Sequence, residues 1–564
     1  MRFFKALLIT NLVIIALIIP GFILLDRHFS NSNANAETEW GEHEPEDTDG
    51  NNNKPDESGT SISIPKEVYA KLEIDSGCLP SDFKLKWEVI KGKEKVDDYR
   101  RQEPVVFGPA SEYCEPDGIT TFRGNNYRNS ASFGYADILE EKLEKVWSIK
   151  IGYIDIWTGV GWNGQPSIIK WNDDIKSKMN LYKNKKNKAD LKEVIYATLD
   201  GKIYFLDLDD GSYTRPQINI GAPLKGSVTV DPRGYPLLYS GQGIDEVNGK
   251  KVKIGFRIFS LIDQKLLYFI NGIDQSAYRR WGAFDSTPLL HKESDTLFEC
   301  GENGILYSIK LNTAFDSAKG TLSINPEEVK YRYSLAGKNR MGIENSIAIY
   351  KNYSYFVDND GILQCVDLNT LSPVWVRNVS DDTDSTIAIE DLGKSEVSLY
   401  TANEVDHQGI DGYSYVRKIN ALTGKLLWEK KYKCTYAETN GGALASPVIG
   451  KNDIENLVIY NLAKAYKING SKIIAFDKKT GEEVWVIDLV NYSWSSPVDV
   501  YTKEGKSYII QSDSAGYMYL IEGKSGKILD KLPVGANIEG SPAVFDNMLV
   551  VGTRGQKIWG IRLK

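Results

Sequence analysis

The sequence predicts an all-β chain: an eight-bladed β-propeller closed by an N-terminal strand, preceded by one transmembrane helix and a disordered linker. Three recurring features carry this reading. A Ser-containing lead-in opens an apolar strand at Pro166-Ser167, Gly226-Ser227, Ser286-Thr287-Pro288, Asn345-Ser346, Asp384-Ser385, Ser446-Pro447, Ser496-Pro497 and Ser541-Pro542. Apolar strands break at tight Gly turns, as in Val194–Tyr204 (VIYATLDGKIY) and Tyr508–Tyr519 (YIIQSDSAGYMY). Turn residues tolerant of positive φ favour hairpins there. An outer strand, often with Trp, then follows at Pro373–Val376, Leu426–Trp428 and Val484–Trp485.

The eight lead-ins lie 60, 59, 60, 39, 61, 50 and 45 residues apart. Each interval has room for four strands, the content of a propeller blade rather than of a solenoid coil. One hairpin cannot bury its own apolar face, so repetition is what makes the pattern stable. The last copy stops at Trp559–Lys564, after its third strand. Lys145–Ile151 (KVWSIKI) resembles the outer strands elsewhere and is predicted to supply the missing one, which removes the open edge at the seam.

Ahead of the propeller, residues 1–28 carry Arg2 and Lys5 and then an apolar run from Ala6 to Leu25. About 20 apolar residues suffice to span a bilayer as a helix, and the preceding charges orient it N-terminus inward. This reads as an uncleaved signal anchor, with cleavage after Ala34-Asn35-Ala36 as the alternative. The expected location is the cell membrane, single-pass, with the propeller outside the cytoplasm. Residues 29–61 are acidic and rich in Asn, Gly, Pro and Ser, so they cannot offset their ordering entropy and form a disordered linker. Residues 62–117 hold strand-like runs at Val68–Leu72 and Phe83–Val89 and read as a small extension packed on the propeller of residues 118–564.

A net charge of −8 argues against a nucleic-acid partner. The four His are widely spaced, and the five Cys include neither a C-x-x-C nor an adjacent pair, so no metal site is expected. Cys300, Cys365 and Cys434 read as small apolar fillers, whereas Cys78 and Cys114 flank the extension and could pair outside the cell. A monomer is expected.

The segment Phe122–Ser130 (FRGNNYRNS), the hairpin Ile473–Trp485 (IIAFDKKTGEEVW) and the Ser-Pro lead-ins resemble the PQQ-like, quinoprotein-alcohol-dehydrogenase-like propeller superfamily, over roughly Gly118–Lys564. That superfamily includes quinone-dependent dehydrogenases and non-catalytic scaffolds of the BamB kind. The dehydrogenases hold the quinone against an adjacent-cysteine disulfide, with Ca²⁺ and a catalytic Asp. The chain has no Cys-Cys pair, so the resemblance favours the non-catalytic branch. It implies neither PQQ nor Ca²⁺, and no catalytic residue is assigned.

Lead-in loops and second-to-third-strand loops share the face around the channel mouth. The candidate ligand-binding residues on it are Trp157, Trp162, Arg279, Arg280, Trp281, Asp285, Arg340, Glu344, Asp384, Glu438, Trp494 and Glu539. Aromatics interleaved with charges suit a sugar or a peptide; the plainer reading is that the Trp residues cap blade tops. Asp285, Glu344, Asp384 and Glu539 recur beside lead-ins and could gather a cation through oxygen, against a plainer solvated or capping role. The predicted function is a binding or scaffold module for a protein or cell-envelope glycan. The alternative is a propeller enzyme, either a polysaccharide lyase or hydrolase or a PQQ-dependent dehydrogenase. On the opposite face, Asp173–Glu193 carries seven Lys and reads as a solvated loop or as a contact with anionic wall polymer or lipid headgroups.

Overall fold

A computed structural model describes residues 73–162 and 164–564. The expected membrane helix (1–28) and linker (29–61) lie outside the described residues. Among the described residues no helix is long and apolar enough to cross a membrane.

The described residues form eight antiparallel blades around a central channel. Blade four shows the plan: Ala348–Tyr350 innermost, then Tyr353–Val357, Ile362–Asp367 and Ser372–Asn378 at the rim. Second strands such as Val397–Ala402 and Leu457–Ala463 are buried along their whole length, which is why they read as unbroken apolar runs. Rim strands alternate instead: in Glu483–Leu489, Trp485 and Leu489 face inward while Val484 and Val486 face solvent. The ring closes as the sequence predicts. Leu143–Lys150 pairs with Lys557–Leu563, from Lys150 opposite Lys557 to Leu143 opposite Leu563, as the fourth strand of blade eight.

Two devices join neighbouring blades. The first is the rim Trp. Trp375 Nε1 donates to Ala421 O (2.9 Å), Trp428 Nε1 to Lys478 O (3.0 Å), Trp485 Nε1 to Gly523 O (3.0 Å), and Trp147 Nε1 to Leu208 O (2.8 Å) across the seam. Each indole lies on the turn glycine of the next blade. At Gly424 an added Cβ would sit 2.9 Å from the Trp375 ring, and its φ of +73° already disfavours any side chain. The second device is the lead-in hydroxyl. Ser346 N donates to Thr386 Oγ1, Thr386 N to Ser446 Oγ, Ser446 N to Ser496 Oγ, and Ser496 N to Ser541 Oγ, at 2.9–3.2 Å. The repeated Ser therefore satisfies a buried N–H of the preceding blade at each step around the ring.

The segment Gly118–Phe133 plugs one end of the channel. Gly118–Ile119 pairs with the inner strand of blade one, and Ser132–Phe133 runs parallel to that of blade eight. Between them Val230 N donates to Thr120 O, Ile349 N to Asn126 O and Ile389 N to Tyr127 O. Two fully buried arginines complete it. Arg123 donates to Pro497 O (2.7 Å) and Pro447 O (2.5 Å). Arg128 donates to Ile347 O, Phe122 O, Thr121 Oγ1 and Thr287 O at 2.6–2.8 Å. The FRGNNYRNS stretch is thus the stopper of the channel.

Before the plug, Lys86–Lys91 pairs antiparallel with Glu327–Ser334 and carries Glu94–Val96 at its far edge, making blade three six-stranded. The pairing of Cys78 with Cys114 that the sequence left open is not made, since both thiols are free. Cys78 is buried with Sγ 3.7 Å from Gly424 O on blade five, while Cys114 Sγ lies 3.1 Å from Pro116 O. The Lys-rich insert in blade one forms two short helices, Asp173–Lys178 and Lys183–Lys186. Its lysines turn largely inward: Lys185 and Lys188 both hold the buried Asp207 carboxylate (2.6 and 2.7 Å), and Lys176 is buried against Lys188 O. That inward pairing withdraws charge from any anionic surface.

Candidate functional site

Because the plug closes one end, the channel is a well that opens among the lead-in loops. Phe122 is its floor; Trp162, Asp285, Glu344, Asp384 and Leu444 line its wall together with the ring of lead-in hydroxyls. The cavity is small, about 40 Å³. A water needs roughly 10–15 Å³ by this measure, so the well has room for a few waters or one small group.

One wall is aromatic. Trp157, Trp162, Trp494 and Tyr492 run edge to face in sequence, with ring centres 6.0, 6.2 and 5.5 Å apart. Trp494 also packs on Leu444 and Ala463, capping blade six. Lys225 faces this wall, its Nζ 4.2 Å from the Trp162 ring centre and 3.4 Å from Asp285 Oδ2. Burial disfavours its charge, but Asp285, Glu302 and Glu344 more than offset that and hold it protonated.

The rest of the wall is acidic. Carboxylate oxygens of Asp285, Glu302 and Glu344 lie within 4.8 Å of one another, and so do those of Asp382, Asp384 and Glu404. A third group, Asp382, Asp406 and His407, reaches the rim, where His407 meets Arg340. Burial, opposed by Lys225 and reinforced by Glu344, pushes the Asp285 carboxyl up to about 6. Burial and then neighbouring carboxylates push Glu302, Asp382, Asp384 and Glu404 well above the ordinary carboxylate range. Several of their oxygens are buried without a hydrogen-bond partner: both of Asp285, Oε1 of Glu302, Oδ1 of Asp384 and Oε2 of Glu404. Such atoms are costly unless something fills the gap.

The candidate residues from the sequence therefore divide. Trp162, Asp285, Glu344 and Asp384 meet in the well, Trp157 and Trp494 flank it, and Arg279 acts on Glu302 from beneath. Glu539 is buried beside it, accepting from Trp162 N (3.4 Å) and Asn537 Nδ2 and facing Arg554 at 3.5 Å. Arg340 stands at the rim; Trp281 is half-buried, and Arg280 and Glu438 are exposed outside the well. Lys225, Glu302 and Glu404 are not among the candidates. Glu302 and Glu404 sit on second-to-third-strand loops of blades three and five, so the shared-face rule was the signal that could have found them.

The model of the family described as outer membrane protein assembly factor BamB matches residues 469–564, which form the last blades and the ring closure. The chain is an eight-bladed β-propeller whose last blades resemble that family. The assembly factor BamB of Shewanella oneidensis is 26% identical to it over 138 residues, 24% of this chain and 29% of that protein, less than a third of the relative's length. A quinohemoprotein alcohol dehydrogenase from Pseudomonas putida HK5 is similar in fold, with a TM-score of 0.53 and 13% identity over 80% of this chain and 81% of that one. BamB from Moraxella catarrhalis gives a TM-score of 0.45 and 15% identity over 70% of this chain and 98% of that one.

Lys225 stands between the aromatic and acidic walls of the well. The described cysteines are all free, and none adjoins another.

Proposed function

We propose that this PQQ-like propeller is a non-catalytic binding module of the cell envelope, tethered to the membrane by its N-terminal segment and engaging a protein partner at the channel mouth. The observation that carries the reading is the well itself: plugged below, narrow, and rimmed by Trp157, Trp162 and Trp494. Such a mouth suits a protruding side chain with a small polar tip, its stem packed on the indoles. The BamB relative, named as an outer-membrane protein assembly factor, lends support from a protein with repeats of the same kind.

The test places a photo-crosslinking residue at position 157 of the full-length chain in its own membrane, with position 139 on the plugged face as control. Leu139 is 90% exposed, so the control is open to solvent. The reading expects one discrete protein adduct from position 157, reduced at least fivefold by Trp162→Ala, and none from position 139. Equal adducts from both faces would sink it. Separately, PQQ added at fixed Ca²⁺ should leave the thermal midpoint unmoved. A dose-dependent rise, about 2.7 kcal/mol at 100 times the dissociation constant, would restore the dehydrogenase reading.

A further inference from the structure

Among the described residues, Asp382, Asp384 and Glu404 form no salt bridge; Lys225 acts on Asp384 only through its field. Asp285, Glu302 and Glu344 face Lys225 and Arg279, and the rim group containing His407 faces Arg340. The group Asp382, Asp384 and Glu404 meets the well at Asp384 and shares Asp382 with the rim group, and the charges that act most strongly on Glu404 are all carboxylates: Asp384, Asp382, Asp406 and Glu344. Several other buried carboxylates of this fold are neutralised directly. Glu193 has Arg215 at 2.7 Å, Glu390 has Lys478 at 2.6 Å, and Asp207 has two lysines.

The three carboxylates are also held in place. Glu404 Oε1 accepts from Asn440 Nδ2 (2.9 Å), its N–H donates to Asp382 O (3.0 Å), and Asp382 Oδ1 accepts from Thr383 N (2.7 Å). Glu404–Val405 is further pinned by pairing with Gly441–Gly442. What remains is Glu404 Oε2, on a side chain 1% exposed and without a partner, and Asp384 Oδ1, likewise buried and unpartnered. One carboxylate oxygen from each of Asp382, Asp384 and Glu404 lies within 4.8 Å of the other two.

We propose that Asp382, Asp384 and Glu404 bind a hard divalent cation of the Ca²⁺ class, tying the lead-in of blade five to its own second-to-third-strand loop. Ca²⁺ takes 6–8 oxygens in flexible geometry. Three carboxylates supply three to six of them, and Asp384, which lines the well, lets water complete the shell. Mg²⁺, which demands near-ideal octahedral geometry and keeps most of its water, is the poorer fit to a crowded carboxylate set. All three ligands come from this chain, so the site needs no quinone and no partner. It stands independently of the proposed function.

The full-length chain in detergent, stripped with EDTA, would be titrated with CaCl2 by calorimetry and by thermal midpoint. The expected result is one saturable site and a raised midpoint, with Mg²⁺ at least tenfold weaker. Glu404→Gln and Asp384→Asn should each weaken Ca²⁺ at least tenfold and flatten the midpoint response, whereas Asp285→Asn should change affinity less than threefold. No heat and no midpoint rise in the unaltered chain would overturn the proposal. So would unchanged binding in both variants, or loss of binding in Asp285→Asn alone, which would move the cation to the other triad. Should Glu404→Gln fail to fold, Asp384→Asn alone decides, because its side chain stands at the wall of the well.

Discussion

The two ends of the channel bury charge in opposite ways. At the plugged end, every side-chain nitrogen of Arg128 donates to an oxygen: Nε and one terminal nitrogen to carbonyls of blades four and three, the other to Thr121 and Phe122 of the plug itself. Glu299 and Asp499 lie in the fields of Arg128 and Arg123. At the mouth, buried carboxylates face one another and keep oxygens without partners. Neither end is fully bonded, since Arg123 Nε, Asn126 Oδ1, Glu299 Oε2 and both Asp499 oxygens are also unpartnered at the plug. There, however, cation stands near anion, whereas the mouth sets carboxylate against carboxylate. A buried charge near its opposite holds a structure together; like charges crowded together mark a place where something else belongs.

The largest effect that would break this contrast is at the plug. Arg128→Met removes a group bonded to the inner strands of blades three and four and leaves their carbonyls buried and unpaired. Hydrogen bonds to charged groups contribute about 1.5–3 kcal/mol each, so the loss should exceed about 4 kcal/mol. Thermal or urea unfolding measures it, and a variant within 1 kcal/mol of the parent would show that the plug merely occupies the channel. At the mouth the sign reverses. In chelator, Glu404→Gln keeps the acceptor for Asn440 while removing one of three crowded charges, and should raise stability by about 1 kcal/mol. A fall of that size would mean that the carboxylates are paired in the cation-free protein.

The plug and the mouth were not equally legible in the sequence. Ser lead-ins, Gly turns and rim Trp residues recur because each blade makes the same contacts, so repetition alone gave the blade count and the closing strand at Lys145–Ile151. The plug occurs once. FRGNNYRNS carried a resemblance, but nothing in its spacing says that Arg123 reaches blades six and seven while Arg128 reaches three and four. The mouth is intermediate: Asp285, Glu344 and Asp384 recur at lead-ins and could be named, whereas Glu302 and Glu404 converge on them from loops that only the folded ring brings near. Cys78 and Cys114, which flank the extension and whose pairing the sequence left open, are free: Cys78 packs at Gly424 of blade five and Cys114 at Pro116.

Asp358 supplies the control that separates burial from crowding. It is fully buried on the second-to-third-strand turn of blade four, accepting from the Tyr333 hydroxyl (2.8 Å) and from Ile362 N (2.9 Å). Burial pushes its carboxyl up to about 7 despite those donors, with only Asp360 as an acidic neighbour of note. Its folded value lies above the ordinary value near 3.9 of an unfolded Asp. Its share of stability is therefore full below about pH 4 and is lost as pH rises through about 7. Acidifying from pH 8 to pH 6 should raise the thermal midpoint, and Asp358→Asn should remove roughly 1–2 °C of that rise, a small share in a chain this long. The comparison to make is the slope of midpoint against pH in the two proteins, both in chelator. An unchanged slope would assign the whole pH response to the crowded mouth, and burial of a lone carboxylate would then count for little in this fold.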